Sequence, residues 1–104
     1  MGFVKAARVS DVPPGRVKVV EVDGEELALC NVGGEIYVVA NVCTHDDGPL
    51  GEGQLAGDEI ECPRHGARFS VCTGEVKALP AITPITTFAV KVEGEDIFVD
   101  LDQA

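Results

Sequence analysis

The sequence predicts an all-β fold, a small antiparallel β sandwich or barrel, and three observations carry that expectation. Apolar and polar residues alternate with period two in several short runs, and turn-forming pairs break those runs at short intervals. No window offers ten or more residues of helical apolar spacing with caps, and prolines at 13, 14, 49, 63, 80 and 84 interrupt the candidates. Alternation of this kind marks strands that bury one face and leave the other to water.

Taken in chain order, Arg16–Val22 reads as a strand through its Val17-Lys18-Val19 alternation. Asp23-Gly24 separates it from a second strand over Glu26–Val32, because this pair favours the left-handed conformations of a tight hairpin. Gly33-Gly34 then turns the chain into Glu35–Ala40. Asp58–Glu61 reads as a short strand, and Phe88–Val92 pairs with Ile97–Val99 across the turn Glu93-Gly94-Glu95. The region from Asn41 to Pro80 breaks the regular spacing, with glycines at 48, 51, 53, 57, 66 and 74 and both histidines of the chain. Long irregular loops in so small a protein usually carry function.

A chain of 104 residues with 45% hydrophobic content suits one domain, residues 1–104, and leaves no room for a second, catalytic one. No stretch approaches the roughly 18 apolar residues of a membrane span, and Met1-Gly2-Phe3-Val4-Lys5 does not begin an export signal. The expected location is cytoplasmic. Eighteen acidic residues against eight basic ones give a net charge of −10, which argues against nucleic acid as a partner. That charge favours a soluble monomer, and it would also steer the protein toward basic docking faces.

Four cysteines, at 30, 43, 62 and 72, fit metal binding better than a disulfide framework when no export signal is present. Cys30 lies in the apolar run Leu27-Ala28-Leu29-Cys30 and reads as a small buried hydrophobe; a Cys30–Cys72 disulfide is disfavoured in a reducing compartment. The other two cysteines belong to paired motifs. Cys43-Thr44-His45 is followed, after sixteen intervening residues, by Cys62-Pro63-Arg64-His65-Gly66. Each supplies one thiolate and one imidazole, a donor set open to zinc or to an iron–sulfur cluster. Structural zinc sites space their paired ligands by two to five residues, and C-x-H is short for that. In an extended segment Cys43 and His45 would point to the same side several ångströms apart, which suits two different irons.

Cys-Thr-His, then Glu61-Cys62-Pro63-Arg64-His65-Gly66, Phe69 and Thr73-Gly74, resembles the Rieske ferredoxin family over nearly the whole chain, most closely over 41–80. The resemblance is strongest to the small bacterial ferredoxins that feed electrons to non-haem iron oxygenases, including ring-hydroxylating dioxygenases. It implies a Rieske [2Fe–2S] cluster, one per chain, on a subdomain formed by two loops. Cys43 and Cys62 would hold the inner iron, and His45 and His65 the outer iron through Nδ1. It further implies an electron carrier rather than an enzyme, with a flavin-dependent ferredoxin reductase and a terminal oxygenase as partners. Gly74–Pro80 looks like the family's third loop, whose proline segment covers the cluster.

Three other functions compete. An oxygenase would need two more histidines and a carboxylate for its iron, and both histidines are already assigned. A Rieske-like small subunit of a nitrite reductase often lacks the cluster ligands, whereas all four are present here. A redox sensor is not separable from a shuttle by sequence. In the high-potential Rieske proteins of quinol-oxidising complexes a disulfide joins the two cluster loops, and serine and tyrosine hydroxyls donate to sulfur. The corresponding positions here are Gly48, Arg64, Ala67 and Phe69. A low reduction potential is therefore expected.

Overall fold

A computed structural model describes residues 2–42, 50–63, 66–79 and 83–101. Among the described residues there are ten strands: β1 Val4–Arg8, β2 Val17–Val22, β3 Glu25–Val32, β4 Glu35–Ala40, β5 Gln54–Ala56, β6 Glu59–Glu61, β7 Arg68–Ser70, β8 Val76–Ala78, β9 Thr87–Glu93 and β10 Asp96–Asp100. Their pairings are antiparallel and make two sheets, β1-β10-β9-β4-β3-β2 and β5-β6-β7-β8. The larger sheet curls until β1 and β2 approach each other, which nearly closes it into a barrel. The only helical turns among the described residues are 3-10 turns at Val9–Asp11 and Leu50–Glu52.

The expected hairpins form. Asp23 and Gly24 both take positive φ, 52° and 83°, the backbone a two-residue turn needs if its twist is to match the flanking strands. Alternation along β3 and β4 sorts their side chains into two cores. Leu27, Leu29, Ile36 and Val38 fill the barrel with Val12, Ile97 and Val99. Ala28, Cys30 and Val39 face the other way and pack on Leu50, Ile60, Cys62, Ala67, Phe69, Val71 and Ile85 of the second layer. The β3–β4 wall is thus buried on both faces.

Three features differ from the sequence-based expectation. β1 was not anticipated because its alternation is broken by a register shift between Lys5 and Ala7, where it pairs with β10. The 50–79 region is more regular than two long loops, since the expected strand at Asp58–Glu61, observed as β6, joins β5, β7 and β8 in a meander of three-residue strands, and those three are too short for periodicity to reveal. A second irregularity, between Arg68 and Phe69, further blurs β7 and β8. Cys30 and Cys72 are both free thiols, the first fully buried and the second exposed.

Candidate metal centre

The β6–β7 hairpin positions the second cysteine. After the last ladder pair, Glu61 with Arg68, the Cys62 amide donates to the Ala67 carbonyl at 2.7 Å and the Gly66 amide donates to the Cys62 carbonyl at 3.1 Å. Gly66 holds φ at +80°, a left-handed value that a side chain would strain. The Arg68 guanidinium lies 3.7 Å from the Glu61 carboxylate across the same hairpin, an exposed pair that contributes little to stability. Cys62 itself is 1% exposed. Its thiol stands at the base of a tight turn over a floor of Leu50, Ile60, Ala67, Phe69 and Ile85.

The first motif enters and leaves near this turn. Beyond Asn41 and Val42 the chain carries Cys43 and His45, and it returns at Leu50, with the Gly51 amide bonded to Asn41. Two residues later Gly53 packs so closely on β6 that a Cβ there would lie 1.7 Å from the Glu61 carbonyl oxygen. Gln54 then pairs with Glu61, one residue before Cys62. The exit of the first motif and the entry of the second are therefore neighbouring backbones.

A third segment reaches the same end. Ala78 pairs with Arg68, so Leu79, 76% exposed, follows at the level of the Cys62–Gly66 turn. The chain returns through Ile85, whose amide donates to the Gly74 carbonyl, and Thr86, whose carbonyl accepts from Ala40. Gly74 sits at φ +82° with room for no side chain, since a Cβ would come within 2.3 Å of the Ile85 carbonyl oxygen.

Of the four ligands expected, Cys62 is described; Cys43, His45 and His65 lie outside the described residues, as do Asp46, Asp47, Gly48, Arg64 and Pro80. What the structure brings together is the framework on which they hang. The donor chemistry fits an iron–sulfur group: a buried soft thiol without a disulfide partner among the described residues, held where three chain segments converge above an apolar floor. Asn41, Gly51 and Gly53 escaped the sequence-based reading. The glycine pair flanking one residue just after the Cys43–His45 motif is the signal that marks them, because close backbone approach is what such spacing permits.

The Rieske [2Fe–2S] domain model matches residues 2–89. This chain belongs to the Rieske [2Fe–2S] domain family. Members of that family bind a Rieske-type [2Fe–2S] cluster, and this chain does so as well. The ferredoxin component of biphenyl 2,3-dioxygenase from Rhodococcus jostii (strain RHA1) is 44% identical over 102 residues, covering 98% of this chain and 95% of the relative. Among solved structures, the ferredoxin of carbazole 1,9a-dioxygenase from Nocardioides aromaticivorans IC177 superposes with a TM-score of 0.89 at 35% identity, covering 95% of this chain and 97% of that one. A complex of reduced oxygenase and oxidised ferredoxin in carbazole 1,9a-dioxygenase matches at a TM-score of 0.88 and 39% identity, with 93% and 91% coverage.

Proposed function

We propose that this Rieske protein is the ferredoxin of a multicomponent oxygenase, carrying single electrons from an NAD(P)H-dependent flavin reductase to a terminal non-haem iron oxygenase, with Cys43, His45, Cys62 and His65 as its cluster ligands. The observation that carries this reading is the placement of Cys62: a fully buried thiol in the hairpin turn, with the exit strand of the Cys43–His45 segment paired one residue away. Full-length similarity to ferredoxin components of dioxygenase systems supports the partner assignment. Residues 1–104 then form one Rieske domain acting as a monomer in the cytoplasm, where Cys30 and Cys72 stay reduced.

When bound, the cluster accepts and gives up one electron without a change of ligands. The chain supplies the rest. Cys62 anchors the group over the apolar floor of Ile60, Ala67 and Phe69, which keeps water from the thiolate side. The tight turn from Cys62 to Gly66 forms the tip of the β6–β7 hairpin. Electrons then enter and leave at that tip, and a partner needs to approach only there. With both histidines spent on the cluster, no set of residues remains for a mononuclear oxygenase iron.

Protein purified after growth with ample iron should be brown, with about two irons and two acid-labile sulfides per chain and the low average g-value of mixed histidine and cysteine ligation on reduction. Stoichiometric zinc and no visible absorbance would sink the assignment. Coupled to a flavin reductase and the terminal oxygenase of a biphenyl dioxygenase, it should support product formation that stops when it is left out.

A further inference from the structure

One buried side chain ties together the two ends of the segment that carries Cys43 and His45. Asn41, 9% exposed, follows the last residue of β4. Its Oδ1 accepts from the Gly51 amide at 2.6 Å, its Nδ2 donates to Glu26 Oε1 at 3.2 Å, and its own amide donates to the Glu26 carbonyl at 3.1 Å. Gly51 is seated for this contact from two sides: a Cβ would fall 2.0 Å from Val19 Cγ2 and 3.0 Å from Asn41 Oδ1. The amide thus joins β3, the end of β4 and the returning chain, and closes a ten-residue separation with a short bond.

Only an amide satisfies both neighbours, since it accepts from a backbone N–H at one end and donates to a carboxylate at the other. Glu26 stands directly opposite Glu21 on β2, a like-charge pair that costs stability on a sheet surface. Its carboxylate is the acceptor that orients Asn41. We propose that Asn41 is a positioning residue for the cluster, clamping together the entry and exit of the segment that carries Cys43 and His45. This rests on the assignment of Cys43 and His45 as ligands made above. The clamp acts through Oδ1, the atom that holds the returning chain; Nδ2 aims it.

The test compares cluster-loaded Asn41→Ser, too short to reach Gly51, with the double variant Asn41→Asp/Glu26→Gln, which keeps the acceptor for Gly51 and moves the donor to position 26. Asn31→Ser is the matched control: Asn31 is equally buried, donates to the Val12 carbonyl at 2.7 Å and accepts from Gly34 at 2.8 Å, but braces the other end of β3. Measurements are the g-values of the reduced protein, the rate of cluster loss into a chelator followed by visible absorbance, and the melting temperature. Asn41→Ser should shift or broaden the g-values and speed cluster loss about tenfold, while Asn41→Asp/Glu26→Gln stays within about twofold of the parent. Asn31→Ser should lower the melting temperature and leave both cluster readouts unchanged. The proposal is overturned if cluster loss in Asn41→Ser and Asn31→Ser tracks melting temperature alike, or if Asn41→Asp/Glu26→Gln behaves as Asn41→Ser. A parent protein that binds no cluster would instead overturn the ligand assignment itself.

Discussion

Tyr37 stands directly across the β3–β4 ladder from Cys30, and Cys72, in the turn after β7, lies near both. Burial pushes the Cys30 thiol from 9.0 up to about 12, with the nearby Cys72 adding to the effect. The hydrogen bond to Cys72 also raises Tyr37 above its ordinary value. Both groups hold their protons more tightly folded than unfolded, so the stability they contribute is complete below about pH 9 and drains away as pH rises toward the folded values. The slope for Cys30 alone approaches about 1.4 kcal/mol per pH unit. Melting temperatures from pH 8 to 10.5 should fall in the parent and fall less steeply in Cys30→Ala. Parallel profiles would show that this thiol does not set alkaline stability.

The four cysteines should separate by chemistry. In the native protein iodoacetamide should alkylate exposed Cys72 and leave buried Cys30 untouched. Cys30→Ala and Cys72→Ala should keep the visible spectrum, whereas Cys62→Ser should lose it. Loss of colour in either alanine variant would mean that the ligands have been misassigned.

Gly53→Ala should be among the most damaging single-methyl changes in the chain. A Cβ has no space against the Glu61 carbonyl, so β5 must move off β6 where the first ligand segment hands over to the second. The expected cost is about 1–3 kcal/mol, with poorer cluster occupancy, read by urea unfolding and iron content. Normal stability with full iron would show that β5 is free to shift.

Ala67 and Phe69 are fully buried in the same core cluster as Cys62. Neither carries a hydroxyl to donate to sulfur, so the midpoint should lie in the lower part of the roughly −150 to +300 mV Rieske range, below about +100 mV. Protein-film voltammetry reads it. Ala67→Ser with Phe69→Tyr should raise the midpoint; an unchanged value in the double variant would place control of the potential elsewhere.

Electron transfer to the oxygenase should slow as salt rises if the charge of −10 guides the encounter, because screening shortens the Debye length below about 10 Å above 0.1 M. Stopped-flow rates at about 20, 100 and 500 mM salt, fivefold steps across that range, decide this. A salt-independent rate would leave the charge a role in solubility alone.

Much of this architecture is legible in the sequence where one rule acts alone. Asp23-Gly24 and Gly33-Gly34 fix hairpins because local φ requirements override everything else there. The turn pairs, with the alternation in the runs between them, locate β2, β3, β4, β9 and β10 to within a residue or two. Alternation fails for β1, where a register shift scrambles the period, and for β5, β7 and β8, each three residues long, whereas β6 is legible as Asp58–Glu61. At the site, the thiol and imidazole pairs advertise themselves by residue type. Asn41 and Gly53 do not, because their roles lie in contacts with Gly51 and Glu61, ten and eight residues away along the chain.

The pairing of β1 with β10 governs the order in which the molecule can be assembled during synthesis. Val4 finds Val99 only after almost the whole chain has been made, so the first strand must wait with one edge bare while every other hairpin forms locally. The meander of 54–78 has no such delay, since each of its strands pairs with the next. The pairings of the hairpin that carries Cys62 are therefore independent of the contact that closes the larger sheet, and loss of the β1–β10 pairing would leave them intact.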